Sequence, residues 1–353
     1  MKESSMKDFD PNSAADLDSG IFGLPHSFED AKLIFLPVPW EATTSYGGGT
    51  SKGPAAIAEA SYQVDLFDLE VSNPFEAGMH ILPASKKIAA WNKAAKADAQ
   101  KIIRAGGRIG KNKSLAKALA NVNKISAQVN EEVRKESARI LASGKIIGLV
   151  GGDHGSPFGA IEAMAEVEES FGLLHIDAHS DTRDAYEGFQ WSHASILRNV
   201  MDQIPQVSKL VQVGIRDFCQ EEWDYIQESN GRIETFFDLD CQKKIANGEN
   251  WQAQVKQIVS RLPQKVWITF DVDGLDPRFC PNTGTPVPGG LDYAEAVILI
   301  GEVARSGRTI VGFDLNEVSP GDSEWDANVG ARLLYKLSAW TLASHGLRPL
   351  VKR

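Results

Sequence analysis

Three short segments concentrate the side chains that bind hard or borderline cations: GGDHG (151–155), HIDAHSD (175–181) and TFDVDGLDP (269–277). In the second, Asp177, His179 and Asp181 recur at every second residue just past an apolar run, so on an extended backbone they project to one side. In the third, Asp271 and Asp273 repeat that spacing, while Asp276 precedes Pro277 and reads as a turn residue. His154 follows a glycine pair that lets the chain turn sharply off a strand. Each segment alone has a plainer reading, as a structural histidine, a solvated acidic loop or a calcium loop, although DVDGLDP lacks the run of oxygen donors and the terminal Glu of an EF-hand. Together they supply two imidazoles and four carboxylates without sulfur, enough for two ions sharing bridging ligands, and such donors suit Mn²⁺, Ni²⁺ or Zn²⁺. Two adjacent ions lower the pKa of a bridging water toward neutrality, and the hydroxide so formed can attack a planar carbon whose positive charge is spread over nitrogens. Four aspartates balance two dications, so the hydroxide leaves about one negative charge, before Glu317 in FDLNEVSP (313–320) is counted. A cationic substrate would be attracted.

The elements that must hold these groups show as short apolar runs at 31–40, 145–152, 171–177, 209–215, 265–273 and 309–315, alternating with helical patterns. That alternation predicts βαβ units and a mostly parallel sheet covered on both faces, with ligands bound at the carboxyl ends of the strands. YGGGTSKGPAAIAEAS (46–61) reads as a glycine loop entering a helix with Pro54 in its first turn, and it lacks the GK[ST] ending of a phosphate loop. Residues 84–143 are rich in Ala and Lys at helical spacing, interrupted at Gly106-Gly107 and Gly110, and predict two or more solvated helices beside the sheet. The polar, acidic residues 1–20 read as a flexible tail or an arm laid on a neighbouring subunit, and 21–353 as a single domain.

With 353 residues, 42% of them hydrophobic, the chain can bury a large core. Its formal charge of −10 argues against nucleic-acid or anionic-membrane partners, which need basic patches. Cys219, Cys241 and Cys280 lie far apart without a CxxC, which predicts neither a disulfide framework nor a thiolate metal site. The N-terminus has no apolar signal region and no apolar run approaches the roughly 20 residues of a membrane helix, so the cytoplasm is expected.

At this point the residues resemble the ureohydrolase family of arginases and agmatinases. GGDH, DAHSD and DVDGLDP occur in the family's order, YGGGTSKGPAAI matches its glycine-proline approach to the first helix, and GTPVPGGL (284–291) is similar to the segment after the last metal motif in agmatinases. The resemblance covers roughly residues 31–345. It implies a three-layer α/β sandwich with a central, mostly parallel sheet, assembly as a homo-trimer or homo-hexamer, and two divalent ions per chain, Mn²⁺ first and Ni²⁺ second. By motif, one ion would be held by His154, Asp177, Asp181 and Asp271, the other by Asp177, His179, Asp271 and Asp273, with Asp177 and Asp271 bridging. The resemblance further implies that Asp181 passes a proton to the leaving nitrogen, that His193 in QWSHASIL (190–197) shuttles protons to solvent with a suitable titration range, and that Glu317 faces the substrate guanidinium.

Departures from the family pattern bear on the substrate. Gly155 stands where relatives usually carry a small hydroxyl residue, and the 84–143 region looks longer than the family core requires. The loop DTRDAYEGFQWSH (181–193) lacks the Asn and Ser pattern by which arginases hold an amino-acid carboxylate, which demotes arginine. Asp184 and Glu187 would repel such a carboxylate and attract the protonated amine of agmatine. Tyr186, Phe189 and Trp191 could narrow the mouth instead; with Trp325 and the likeness of AYEGF…SHAS to guanidine-hydrolysing relatives, they favour free guanidine. The expected reaction is agmatinase-like release of urea from a small cationic guanidino compound, with free guanidine as the alternative substrate. Arginase, guanidinobutyrase, formimidoylglutamase and metal-dependent deacetylase activities rank below these. The complete ligand set argues against a one-zinc deacetylase and against an inactive relative.

Overall fold

The computed structural model describes residues 9–16 and 19–352. Residues 1–8, 17 and 18 of the expected N-terminal tail lie outside the described residues; from Phe9 the chain is in contact with the body, its ring 5.9 Å from that of Phe75.

Eight strands form one parallel sheet: β1 (Leu33–Val38), β2 (Met79–Ile81), β3 (Ile146–Gly151), β4 (Phe171–Ile176), β5 (Val207–Val213), β6 (Ile233–Phe236), β7 (Lys265–Asp271) and β8 (Thr309–Asn316), in the order β2-β1-β3-β8-β7-β4-β5-β6. β1, β3 and β4 are buried at every position, which is why they read as unbroken apolar runs. The pleat divides those runs between two cores. Leu33, Phe35, Val150, Leu174, Ile176, Ile268 and Phe270 pack against α1 (Gly53–Ala60), α8 (Trp251–Ser260), α9 (Tyr293–Arg305) and α10 (Trp325–Ser344). Ile34, Leu36, Ile147, Leu149, Leu173 and Trp267 face α2 (Lys86–Ile103), α3 (Lys113–Ala142), α4 (Phe158–Ala165), α5 (Ile196–Gln203) and Ile226 of α6 (Gln220–Glu228). The architecture is the expected three-layer α/β sandwich. The edge strands β2 and β6, three and four residues long, escaped the sequence reading because such short segments hold too few alternations to register.

The region 84–143 resolves into α2 and α3, broken near the anticipated glycines and capped by Ser85 and Asn112, whose side chains accept from backbone N–H groups of the first turn. Val122, Ser126, Val129 and Val133 of α3 are buried along one face. The pair is therefore not a solvated appendage: it covers part of the sheet and, as shown below, reaches the loops of the site.

β3, β8, β7 and β4 are consecutive at the centre of the sheet. GGDHG, FDLNEVSP, TFDVDGLDP and HIDAHSD are the segments that run off their carboxyl ends, so the sheet order brings all four together.

Candidate metal centre

His154 Nδ1 lies 2.9 Å from Asp177 Oδ2, 3.2 Å from Asp181 Oδ2 and 3.4 Å from Asp271 Oδ2. His179 Nδ1 lies 3.4 Å from Asp177 Oδ1 and 3.0 Å from Asp273 Oδ2. All six residues assigned as ligands by motif thus meet in one place, and Asp177 turns one oxygen to each half. These are the separations expected of donor atoms converging on cations, and the described residues contain two groups that could hold a metal: His154, His175, Asp177 and Asp181, and Asp177, His179 and Asp273. Asp271 joins them through His154 Nδ1, 3.4 Å away.

The convergence is local chemistry as much as topology. β4 ends at Ile176, so Asp177, His179 and Asp181 are not aligned by a pleat, as the alternation implied. Instead Asp177 Oδ1 accepts from His179 N at 2.6 Å and Asp271 Oδ1 from Asp273 N at 2.9 Å, each turn locking a carboxylate, and Asp273 Oδ1 accepts from Ala178 N at 3.0 Å, tying the two loops together. Asp181 and Glu317 adopt left-handed φ values of 56° and 63°, a strain typical of residues held for function. A Cβ on Gly152 would sit 1.9 Å from Trp40 O, so only glycine lets β3 turn down to His154 at this point. Asp276 accepts from Arg278 N at 3.0 Å and remains a turn residue, as predicted.

Supporting groups that the sequence reading did not single out orient these donors. His154 Nε2–H donates to Thr269 Oγ1 at 2.8 Å, and that hydroxyl donates to Asp314 Oδ1 at 2.7 Å, which turns Nδ1 to the carboxylates; these hold a proton on it that an ion would displace. Gln212 Nε2 donates to Ser180 O and to His175 Nδ1, so the His175 proton sits on Nε2 and is given to Asp177 Oδ2 at 2.8 Å. In that tautomer His175 gives its Nε2–H to Asp177 and orients that carboxylate. Its signal was the same two-residue period, one step earlier on the strand. Thr269, Gln212 and Asp314 were legible only as polar residues inside fully buried strands, where each must find a partner.

The charge state of this cluster calls for cations. Burial opposes ionisation of Asp177, yet His175, His154 and His179 outweigh it and hold the group well below the usual carboxylate range. Burial and the neighbouring Asp177 push Asp181 up to about 7, and burial with Asp273 and Asp177 keeps Asp271 well above its ordinary value. Burial disfavours the His179 cation, but Asp273 and Asp177 raise it to about 12. Protons thus stand in for positive charge that buried carboxylates require, and the donor set fits two divalent ions. Metal uptake should then release protons, with His154 and His179 each giving one up in the neutral range and Asp181 adding another below about pH 7. Because proton and ion compete, acidification lowers affinity, by about a further tenfold per unit below pH 7. Titrating metal-free protein with Mn²⁺ in weakly buffered solution at pH 6 and 8 measures both quantities, and tighter binding at pH 6 would contradict the assignment.

Glu317 Oε1 accepts from His154 N at 2.9 Å, whereas Oε2 is buried without a partner, 3.4 Å from the Cβ position that Gly284 leaves empty. Burial and Asp153 hold Glu317 well above the usual carboxylate range. His193 stands outside both donor groups, half-buried, with its ring 6.0 Å from that of Tyr186. Burial and the cationic His179 and His154 lower it to about 4, below the mid-range value expected of a shuttle. The aromatic loop also departs from expectation: Phe189 is fully buried and Trp191 packs 4.8 Å from Phe158, so only Tyr186 of the three stands beside His193. Trp325 opens α10 and donates from Nε1 to Arg278 O at 3.0 Å.

The sequence model of the Arginase family matches residues 31–339, a span that contains every one of these site residues. The chain belongs to the arginase family. This arginase-family ureohydrolase is 32% identical over 321 residues to the N(1)-aminopropylagmatine ureohydrolase of Synechocystis sp., covering 89% of this chain and 90% of that one. It is 27% identical over 319 residues to the agmatinase of Bacillus subtilis, with 88% and 92% covered. The fold is that of the agmatine ureohydrolase of Thermoplasma volcanium, with a TM-score of 0.68, 22% identity and 91% and 93% of the chains covered. Proclavaminate amidino hydrolase from Streptomyces clavuligerus gives 0.69, 21%, 92% and 97%. Among the described residues no helix is long and apolar enough to cross a membrane.

Proposed function

We propose that the enzyme hydrolyses a small cationic guanidino compound, agmatine before others, to urea and an amine, using two divalent ions, Mn²⁺ first and Ni²⁺ second. The observation that carries this reading is the divided carboxylate of Asp177, which serves His154 with one oxygen and His179 with the other. His154, Asp177, Asp181 and Asp271 would hold one ion; Asp177, His179, Asp271 and Asp273 would hold the second. Bound there, the ions would lower the pKa of water toward neutrality and so supply the nucleophile. Glu317 Oε2 receives the guanidinium, and Asp181 Oδ2 carries the proton that the departing nitrogen requires. His193, neutral at pH 7, takes protons onward to solvent.

Exposed Asp184 and half-buried Glu187 favour a protonated amine over a carboxylate tail, and the names borne by the relatives support that choice. Free guanidine is the second reading, favoured by Tyr186 standing over His193. The three free cysteines support a cytoplasmic setting, and assembly as a homo-trimer or homo-hexamer is carried over from the family resemblance. Urea release should be measured for agmatine, guanidine, guanidinobutyrate and arginine at identical Mn²⁺ or Ni²⁺ loading, comparing kcat/KM. Exhaustive chelation is expected to abolish activity and either ion to restore it. Full activity in verified metal-free enzyme overturns the mechanism, and arginine as best substrate overturns the substrate class.

A further inference from the structure

Ala99 and Ile102 of α2 and Ala118 and Val122 of α3 form a small apolar cluster separate from the two sheet cores, and its fifth buried member comes from elsewhere: Phe189, fully buried, from the loop between Asp181 and His193. The segment that delivers Phe189 is a two-residue turn. Tyr186 and Phe189 exchange backbone hydrogen bonds of 3.2 and 2.8 Å, and between them Glu187 and Gly188 take φ values of 53° and 88°, the geometry of a type I′ turn. A side chain on Gly188 would strike Leu119 of α3 at 2.9 Å. Beside the turn, Asn123 of α3 donates from Nδ2 to Gly188 O at 3.2 Å and accepts at Oδ1 from Gln190 N at 3.0 Å. A carbonyl and an N–H two residues apart point to the same edge of an extended segment, so one amide satisfies both groups flanking Phe189, as a partner strand would. On the opposite side of the turn, Tyr186 stands against His193 and under the Arg183 guanidinium, 5.1 Å from its ring centre.

We propose that the α2–α3 hairpin is the specificity element of the site: through Asn123 and the Phe189 socket it fixes the loop that carries Tyr186, and so sets the room left for the substrate beyond its guanidinium. This rests on the reading of the site as a guanidino hydrolase. A loop joining a metal ligand to a catalytic histidine would otherwise sample many conformations, and ordering it before substrate arrives is what turns an aromatic side chain into a size filter. Asn123 is thus a positioning residue acting through the turn.

The test compares Asn123→Ala with Asn121→Ala, which breaks a bond to Asp98 inside the hairpin and leaves the loop untouched. In metal-loaded Asn123→Ala, hydrogen exchange at the amides of residues 186–190 should quicken by about five- to tenfold. The ratio of kcat/KM between guanidine and agmatine should move toward one by about threefold or more, mainly through KM, while metal content stays at the wild-type level. Asn123→Asp, which keeps the acceptor for Gln190 N and loses the donor to Gly188 O, should fall between. Asn121→Ala should match wild type in all of these. Unchanged exchange in Asn123→Ala overturns the grip, and faster exchange with an unmoved substrate ratio overturns the specificity role. If wild-type enzyme releases urea from no guanidino compound, the proposed function fails instead, and the exchange comparison still decides whether the hairpin holds the loop.

Discussion

Replacing Asp177 with alanine should leave the protein with neither metal nor activity. The side chain is fully buried and offers Oδ2 to the His154 group and Oδ1 to the His179 group, so its loss reaches both halves at once. Its loss also strips acceptors from His175 Nε2 and His179 N. Each buried donor left unpaired costs about 1–3 kcal/mol, so the variant should melt earlier than metal-free wild type as well. Metal analysis is expected to fall from about two ions per chain to near none, and urea release by more than about a thousandfold. Asp271→Ala, the second residue assigned to both ions, should likewise lose metal and activity, whereas Asp276→Ala, at the turn outside the cluster, should keep its metal. Two ions and substantial turnover in Asp177→Ala would mean that the ions sit elsewhere.

What made the site legible before any coordinates was burial. Strands covered on both faces must be apolar almost throughout, so an Asp or His at the end of such a run stands out, and three of the runs carried one. The same logic, pressed further, would have found Thr269, Gln212 and Asp314, which interrupt buried strands and are fully paired there. Alternation beyond Ile176 gave the right neighbours for a wrong reason: the strand stops, and side-chain-to-backbone bonds at Asp177, Asp271 and Asp273 do the aligning. Loop aromatics were the opposite case. No periodicity tells which way a loop residue points, so Phe189 and Trp191 looked like mouth residues and are packing residues. For α2 and α3 the helical period was readable, but what their tip would hold depended on a loop some seventy residues away, a contact that local sequence does not encode.

His193→Ala is expected to separate rate from metal. His193 belongs to neither donor group, and its ring is hydrogen-bonded to Ser192 Oγ, 3.3 Å from Nδ1. Removing the ring should leave both ions in place. Burial and the charge on His179 and His154 lower its pKa to about 4, so near pH 7 it is unprotonated and free to accept a proton; bound dications in place of protonated imidazoles would maintain that push. Loss of a positioned proton acceptor typically lowers kcat by about 100- to 10,000-fold, and here KM should change little because the guanidinium is assigned to Glu317. Added imidazole should recover part of the rate, since the deletion opens space beside Tyr186 without disturbing the ligands. Asp177→Ala should not respond to imidazole at all. The contrast makes the assignment testable with one metal analysis and one rescue series: a His193→Ala enzyme that loses its ions as Asp177→Ala does would be a ligand-shell variant, and the proton path would have to run through another residue.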